Sequence, residues 1–262
     1  MISNLADVQS DKDMRNIPIS KVGIKNIRYP IRFNDGGHEY ATVATFDCYV
    51  NLPANVKGTH MSRFIELLQA ETNSFSTIGL QAFLEKMQDK LQSPQAFIQL
   101  EFPLFIEKQA PVSKTKSLLD YDVKLQASLC HKQFELEIQV KIPVTSLCPA
   151  SKKMSNYGAH NQRSEITINL QTTSSIVVSD IIRLAEAEAS CELFALLKRD
   201  DEKYVTEHAY DHAKFVEDIV RDLALKFQTL PNVTRLKVAC ENYESIHNHS
   251  AYAEIELEKT LV

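Results

Sequence analysis

The feature that most constrains this chain is the order in which its hydrophobic period changes. Every second residue is apolar or β-branched at Ile27, Tyr29, Ile31 and Phe33, and again at Thr42, Ala44, Phe46, Cys48 and Val50, which predicts strands over 27–33 and 42–50. A helical period follows at Met61, Phe64, Ile65 and Leu68, then at Leu80, Phe83, Leu84, Met87 and Leu91. Alternation returns over 98–104 and 121–129. The scheme then repeats: strands over 134–142 and 166–170, helical stripes over 181–197 and 215–227, and last strands over 236–240 and 253–257. The expectation is an α+β fold built as ββααββ twice. Each module would be an antiparallel sheet covered on one face by a helix pair, since sequential strands joined by tight turns favour antiparallel pairing. The predicted layout is an N-terminal arm over 1–20, a first module over 21–130 and a second over 131–262. With only 6 Gly and 9 Pro and no low-complexity linker, the two modules are expected to pack as one unit.

A chain of 262 residues, 44% of them hydrophobic, is long enough for a sizeable core. Its net charge of −5 argues against a nucleic-acid partner, which would call for a basic stripe, but leaves room for a local anion site. No apolar run approaches the roughly 18–20 residues of a membrane span. The N-terminus lacks a basic-then-apolar signal pattern, so a cytoplasmic protein with no membrane partner is expected. Five scattered cysteines, an odd number, argue against a disulfide framework and make any special cysteine a ligand or a nucleophile.

The segment SLCPASKKMSNYGAHNQRSE at 146–165 joins two predicted strands and is too rich in specific polar groups for an ordinary connection. Cys148 and His160 within it could face one metal ion; a buried thiol and a surface histidine explain them equally well. Glu202 lies in an acidic stretch read as a loop between the last two helices, and His247 and His249 lie in the turn between the last strands. Cysteine, histidine and carboxylate ligands suit a tetrahedral ion such as zinc, whereas a solvated acidic face and exposed turn histidines are the plain alternative.

The first half offers VKGTHMSRF at 56–64, where Lys57, His60 and Arg63 surround a Gly-Thr turn at a helix start. Basic side chains beside free backbone N–H groups make an anion site, or else a helix cap with surface charges. Glu217, in AKFVEDIVR, flanks the apolar stripe of the last helix. It could accept two N–H bonds from an amidine-like edge such as that of guanine, or pair with Arg221 one turn on.

These segments together resemble the type IB GTP cyclohydrolases, nearly end to end. The likeness begins with DVQSDKDMRNIPISKVGIKNIRYPI at 7–31 and runs through VKGTHMSRF, CPASK, YGAHNQRSE, DEKYVTEHAYDHAKFVEDIVR and ESIHNHSAYAEIE. The resemblance implies the tunnelling fold (T-fold), two ββααββ modules per subunit, and a homotetramer. It implies a divalent metal, zinc first, with manganese or iron also compatible with the donor set. Cys148, His160, Glu202 and His247 would surround that ion, and Cys148, His160 and His247 would serve the chemistry. Glu217 would anchor the guanine edge of GTP, with Lys57, His60, Arg63 and Arg163 toward the triphosphate. The reaction so implied converts GTP and water to 7,8-dihydroneopterin triphosphate and formate, a product that feeds folate or modified-tRNA synthesis.

One departure stands out. The family pattern is CPCSK, and this chain reads CPASK, with Ala150 in place of the second cysteine. Alanine can neither carry a proton nor bind a metal, so impaired turnover is expected. The alternatives are a catalytically inactive GTP-binding relative, an engineered inactive variant, or another T-fold enzyme such as a purine or pterin reductase.

Overall fold

The computed structural model describes residues 7–71, 75–230 and 233–258. In chain order it contains β1 (Ile19–Asp35), β2 (His38–Leu52), α1 (Met61–Glu71), α2 (Gly79–Leu91), β3 (Gln95–Gln109), β4 (Lys116–Cys130) and β5 (Gln133–Leu147). There follow α3 (Pro149–Met154), β6 (Asn161–Thr172), α4 (Val178–Glu186), β7 (Cys191–Glu192), α5 (Arg199–Asp211), α6 (Val216–Phe227), β8 (Val233–Asn242) and β9 (Ala251–Glu258). Among the described residues, no helix is long and apolar enough to cross a membrane.

The expected fold class, two tandem ββααββ modules of the T-fold with a helix pair on each sheet, is corrected. The strands form one nine-stranded antiparallel sheet in the order β1-β2-β3-β4-β5-β6-β8-β9, with β7 attached to β5. Two physical reasons account for the difference. Residues His131 and Lys132, at φ 50° and 69°, make a tight turn, so pairing runs from β4 straight on to β5. Among the described residues, the second half also holds four helices rather than two. Its stripe over 181–197 ends with α4 at Glu186, and α3 and α5 occupy stretches read as loop. Helix α5 escaped notice because only Asp201 and Ala209 of its residues are buried, so it carries no apolar stripe. Its acidic first turn, Asp200, Asp201 and Glu202, favours a helix N-terminus instead.

The chain divides into two compact units, Met1–Phe102 with Leu125–Leu136, and Pro103–Lys124 with Glu137–Val262. In the first, the inward residues of β2 and β3, among them Phe46, Val50, Ile98 and Leu100, are buried, as are Phe64 and Leu68 of α1 and Leu80, Leu84 and Met87 of α2. The rings of Phe33 and Phe102 lie 4.8 Å apart, and Phe75 bridges Phe46 and Phe83. Gly23 marks a close approach, since a Cβ there would lie 1.9 Å from the Cys48 carbonyl oxygen. In the second unit, Ile138, Val140, Ile142 and Val144 of β5 alternate inward with Ile166, Ile168 and Leu170 of β6. Helices α4 and α6 supply Ile181, Ile182, Ile219, Leu223 and Phe227 to that core.

Phe33 is fully buried in the first unit. Phe33→Ala is expected to cost about 3–5 kcal/mol of stability through lost burial and the cavity left behind. Denaturant titration measures it; a loss near zero would show that this aromatic cluster does not hold the unit.

Candidate active site

The segment between β5 and β6 is built around Cys148. Pro149 takes the first position of α3, where its missing N–H costs nothing, and Cys148 caps the helix with Sγ accepting the Ser151 N–H at 3.4 Å. Ser151 Oγ donates to the Cys148 carbonyl at 3.1 Å, and the His160 N–H donates to Ser151 Oγ at 3.3 Å. The Cys148 N–H donates to the His160 carbonyl at 3.1 Å, closing the loop on itself. Gly158, at φ +126°, makes the turn that brings the chain back to His160. Ala150 is exposed on the first turn of α3.

Opposite this loop, β8 pairs with β6, with Ser164 facing Asn242, and the Tyr243 N–H donates to the Arg163 carbonyl at 3.0 Å. That pairing carries Glu244 to His160: its Oε2 lies 3.8 Å from Nδ1, and both side chains are only 13% exposed. Gln162 Oε1 is nearer the same nitrogen, at 3.0 Å. Glu244 did not emerge from sequence reading, because its approach depends on the β6–β8 register. Arg163 itself is exposed.

The other predicted residues stand on other elements. Glu202 is exposed on the first turn of α5. His247 is exposed in the turn before β9, its ring stacked on His249 at 5.1 Å. Among the described residues, no three His, Cys, Asp or Glu side chains are gathered to hold a metal ion. Glu217 is exposed on the first turn of α6. The entry to that helix is fixed by Lys214, which bridges Glu188 at 2.9 Å and Asp222 at 2.8 Å. In the first unit, Lys57 lies 3.6 Å from Asp11, His60 lies 3.3 Å from Asp7, and Arg63 donates to the Lys90 carbonyl at 3.2 Å.

Cysteine chemistry narrows by environment. Burial pushes the Cys48 and Cys240 thiols up to about 12 and Cys191 to about 11, and raises Cys130 as well. Cys148 differs from these four in presenting its sulfur to a backbone N–H at a helix start.

Two buried carboxylates lie at helix ends of the second unit, Asp201 in the first turn of α5 and Glu186 at the end of α4. Asp201, fully buried, accepts from the Val112 and Ser113 N–H groups at 2.8 Å each, from Ser113 Oγ at 2.6 Å and from the Lys198 N–H at 2.9 Å. Burial alone would raise its pKa, but these hydrogen bonds hold the carboxyl well below the usual range. Glu186 shows the reverse. It accepts from Lys108 at 2.6 Å and from Tyr121 Oη at 2.6 Å, yet desolvation outweighs both and its pKa is raised. Lys108 also pairs with Glu192. Beside this cluster lies a cavity of about 390 Å³ lined by Glu186, Cys191, Glu192, Phe194, Tyr204 and His208 among others.

Comparison with solved structures places the fold. Uricase from Arthrobacter globiformis matches with a TM-score of 0.53, covering 92% of this chain and 94% of that one at 7% identity. A hyper-thermostable mutant of AgUricase matches at 0.51 and 8% identity, covering 92% of each chain. The architecture is thus of the urate oxidase kind, and at such identities the likeness concerns fold only. Sequence comparison gives the family: the model described as type I GTP cyclohydrolase folE2 matches residues 5–253. GTP cyclohydrolase FolE2 2 of Dechloromonas aromatica (strain RCB) is 51% identical over 259 residues, 98% of this chain and 96% of that protein. GTP cyclohydrolase FolE2 of Nitrosomonas eutropha (strain DSM 101675 / C91 / Nm57) is 52% identical over 258 residues, covering 97% and 96%. The chain belongs to the type I GTP cyclohydrolase FolE2 family.

The Asp201 carboxylate yields a pH prediction. A group whose pKa is depressed on folding adds its full stability above the unfolded value of about 4, and loses it as pH falls toward the folded value. The acid limb of the Tm against pH curve below about pH 4 is therefore expected to be steeper for the natural chain than for Asp201→Asn. Parallel limbs would show that these hydrogen bonds contribute nothing to acid stability.

Proposed function

We propose that this chain is a metal-dependent GTP cyclohydrolase of the type IB class, converting GTP and water to 7,8-dihydroneopterin triphosphate and formate. The observation that carries this, beyond family membership, is the closed loop in which the Cys148 N–H meets the His160 carbonyl at 3.1 Å. It joins the backbones of two residues twelve positions apart, and the Glu244 carboxylate lies 3.8 Å from the His160 imidazole.

The donor set fits a borderline divalent ion. Zinc accepts thiolate and imidazole ligands, and manganese or iron would be served by added carboxylate. Cys148 and His160 would hold it, with Glu202 and His247 as further candidate ligands. The ion, when bound, supplies Lewis acidity that stabilises negative charge developing on oxygen. His160, beside Gln162 and Glu244, is suited to moving a proton, as several steps of ring opening and reclosure require. Glu217, exposed at a helix start, would accept the N–H pair of the guanine edge, and Lys57, His60, Arg63 and Arg163 would face the triphosphate. A homo-oligomer, a tetramer by the family resemblance, would let another copy bring the remaining groups to the Cys148–His160 pair.

Ala150 favours a second reading, a GTP-binding relative with weakened or lost turnover. Its methyl group is exposed beside Cys148 and offers no proton. If a thiol there acts as proton carrier, Ala150→Cys is expected to raise formate release by about 10²–10⁴-fold. Equal turnover in both chains would make the thiol dispensable, and no formate from either would sink the cyclohydrolase reading. Metal analysis adds a separate check: Cys148→Ala should lose bound metal, and an undiminished metal content would remove Cys148 from the ligand set. Glu217→Ala is expected to weaken GTP binding about 10–100-fold, the worth of a charge-assisted hydrogen-bond pair. Unchanged affinity by calorimetry would place the guanine elsewhere.

A further inference from the structure

A row of buried neutral polar side chains runs inward from His160. Gln162 Oε1 lies 3.0 Å from His160 Nδ1, and Gln162 Nε2 donates to Ser146 Oγ at 2.8 Å. The Ser146 and Ser164 hydroxyls are 2.8 Å apart, and Ser164 Oγ donates to Asn242 Oδ1 at 2.7 Å. Gln162, Ser146, Ser164 and Asn242 are only 8%, 0%, 1% and 4% exposed. Each stands where its strand otherwise turns an apolar side chain to the core, next in phase to Val144 on β5, Ile166 on β6 and Cys240 on β8. Four polar side chains there are tolerable only as a fully paired set.

The pairing has a direction, because a hydroxyl has one proton to give. Ser164 spends its proton on Asn242 Oδ1, so the bond between the serines is donated by Ser146. With its own proton used, Ser146 can only accept from Gln162, which Nε2 provides. The Gln162 amide therefore turns its oxygen to the imidazole, and an oxygen acceptor requires a proton on Nδ1. Both ends agree with this direction. At the ring, the other neighbour of Nδ1 is the Glu244 carboxylate, which when ionised can only accept. At the far end, Cys240 Sγ lies 3.8 Å from Asn242 Oδ1 as a thiol donor.

We propose that Gln162, Ser146, Ser164 and Asn242 are positioning residues that hold neutral His160 as its Nδ1–H tautomer, leaving Nε2 with the lone pair for a proton or a divalent ion. The proposal deepens the reading of His160 as a site residue and rests on it for its functional meaning. An imidazole of the opposite tautomer would present an N–H where a base or ligand is needed. Removing such outer partners typically costs about 10–100-fold in activity or metal affinity.

The test is the ring ¹⁵N signature of His160 in the full chain, read at a pH where the ring is neutral. Its signals are assigned among those of 8 histidines by their disappearance in His160→Gln. A pyrrole-type Nδ1 with a pyridine-type Nε2 is expected; the reverse pattern overturns the proposal. Asn242→Leu removes the terminal acceptor without touching the ring. It is expected to release the direction of the row, give a mixture of tautomers, and lower kcat about 10–100-fold with KM for GTP unchanged. Ser164→Ala interrupts the same row should Asn242→Leu fail to fold. Ring signals that stay put in a folded variant would show that the row does not set the tautomer. The signature needs no turnover, so the two readings fail separately. A chain that stays inactive even as Ala150→Cys but shows the Nδ1–H pattern sinks only the cyclohydrolase reading, and an active one with the Nε2–H pattern sinks only this proposal.

Discussion

The antiparallel register of β6 against β8 is the constraint on which the candidate site depends. With Ser164 opposite Asn242, the strand phase sends both inward, and the residues just past the end of β8 deliver Glu244 to the imidazole of His160. A one-residue slip would turn every side chain of one strand to the other face, exposing Ile166 and Ile168 and stranding the polar row. The apolar core on either side makes that slip costly, so hydrophobic burial fixes the register and the register fixes the chemistry. The loop around Cys148 is closed by local bonds, and it starts and ends on strands already aligned.

Buried charge is handled in two opposite ways in the second unit. Asp201 is surrounded by donors and stays ionised, tying the turn at Val112 and Ser113 to the start of α5. Glu186 has Lys108 and Tyr121, yet burial still disfavours its charge. The difference lies in the number and kind of donors: backbone N–H groups are fixed in place and lose little entropy on pairing, whereas a lysine must itself be desolvated to help. Both devices fasten the β3–β4 hairpin end to helical elements. The segment that carries Glu202 is thereby held without an apolar stripe of its own.

Much of the chain was legible as sequence. The alternating runs and the stripes of α1, α2, α4 and α6 could be read because a period of two and a period near 3.6 are local properties of burial. The unusual segment at 146–165 stood out by composition, and Cys148 and His160 with it. Helix α5 was missed for want of an apolar face, and the single sheet was missed because period says nothing about which strands pair.

The sequence by itself determined where the strands other than β7 run, where the polar loop falls, and the family to which the motifs belong. Only the tertiary structure decided that Glu244 stands beside His160 and that Gln162, Ser146, Ser164 and Asn242 join in one row. Those contacts span up to 78 residues between Ser164 and Asn242. The physical reason is that side-chain pairing across strands depends on register, and register is set by the whole apolar core at once.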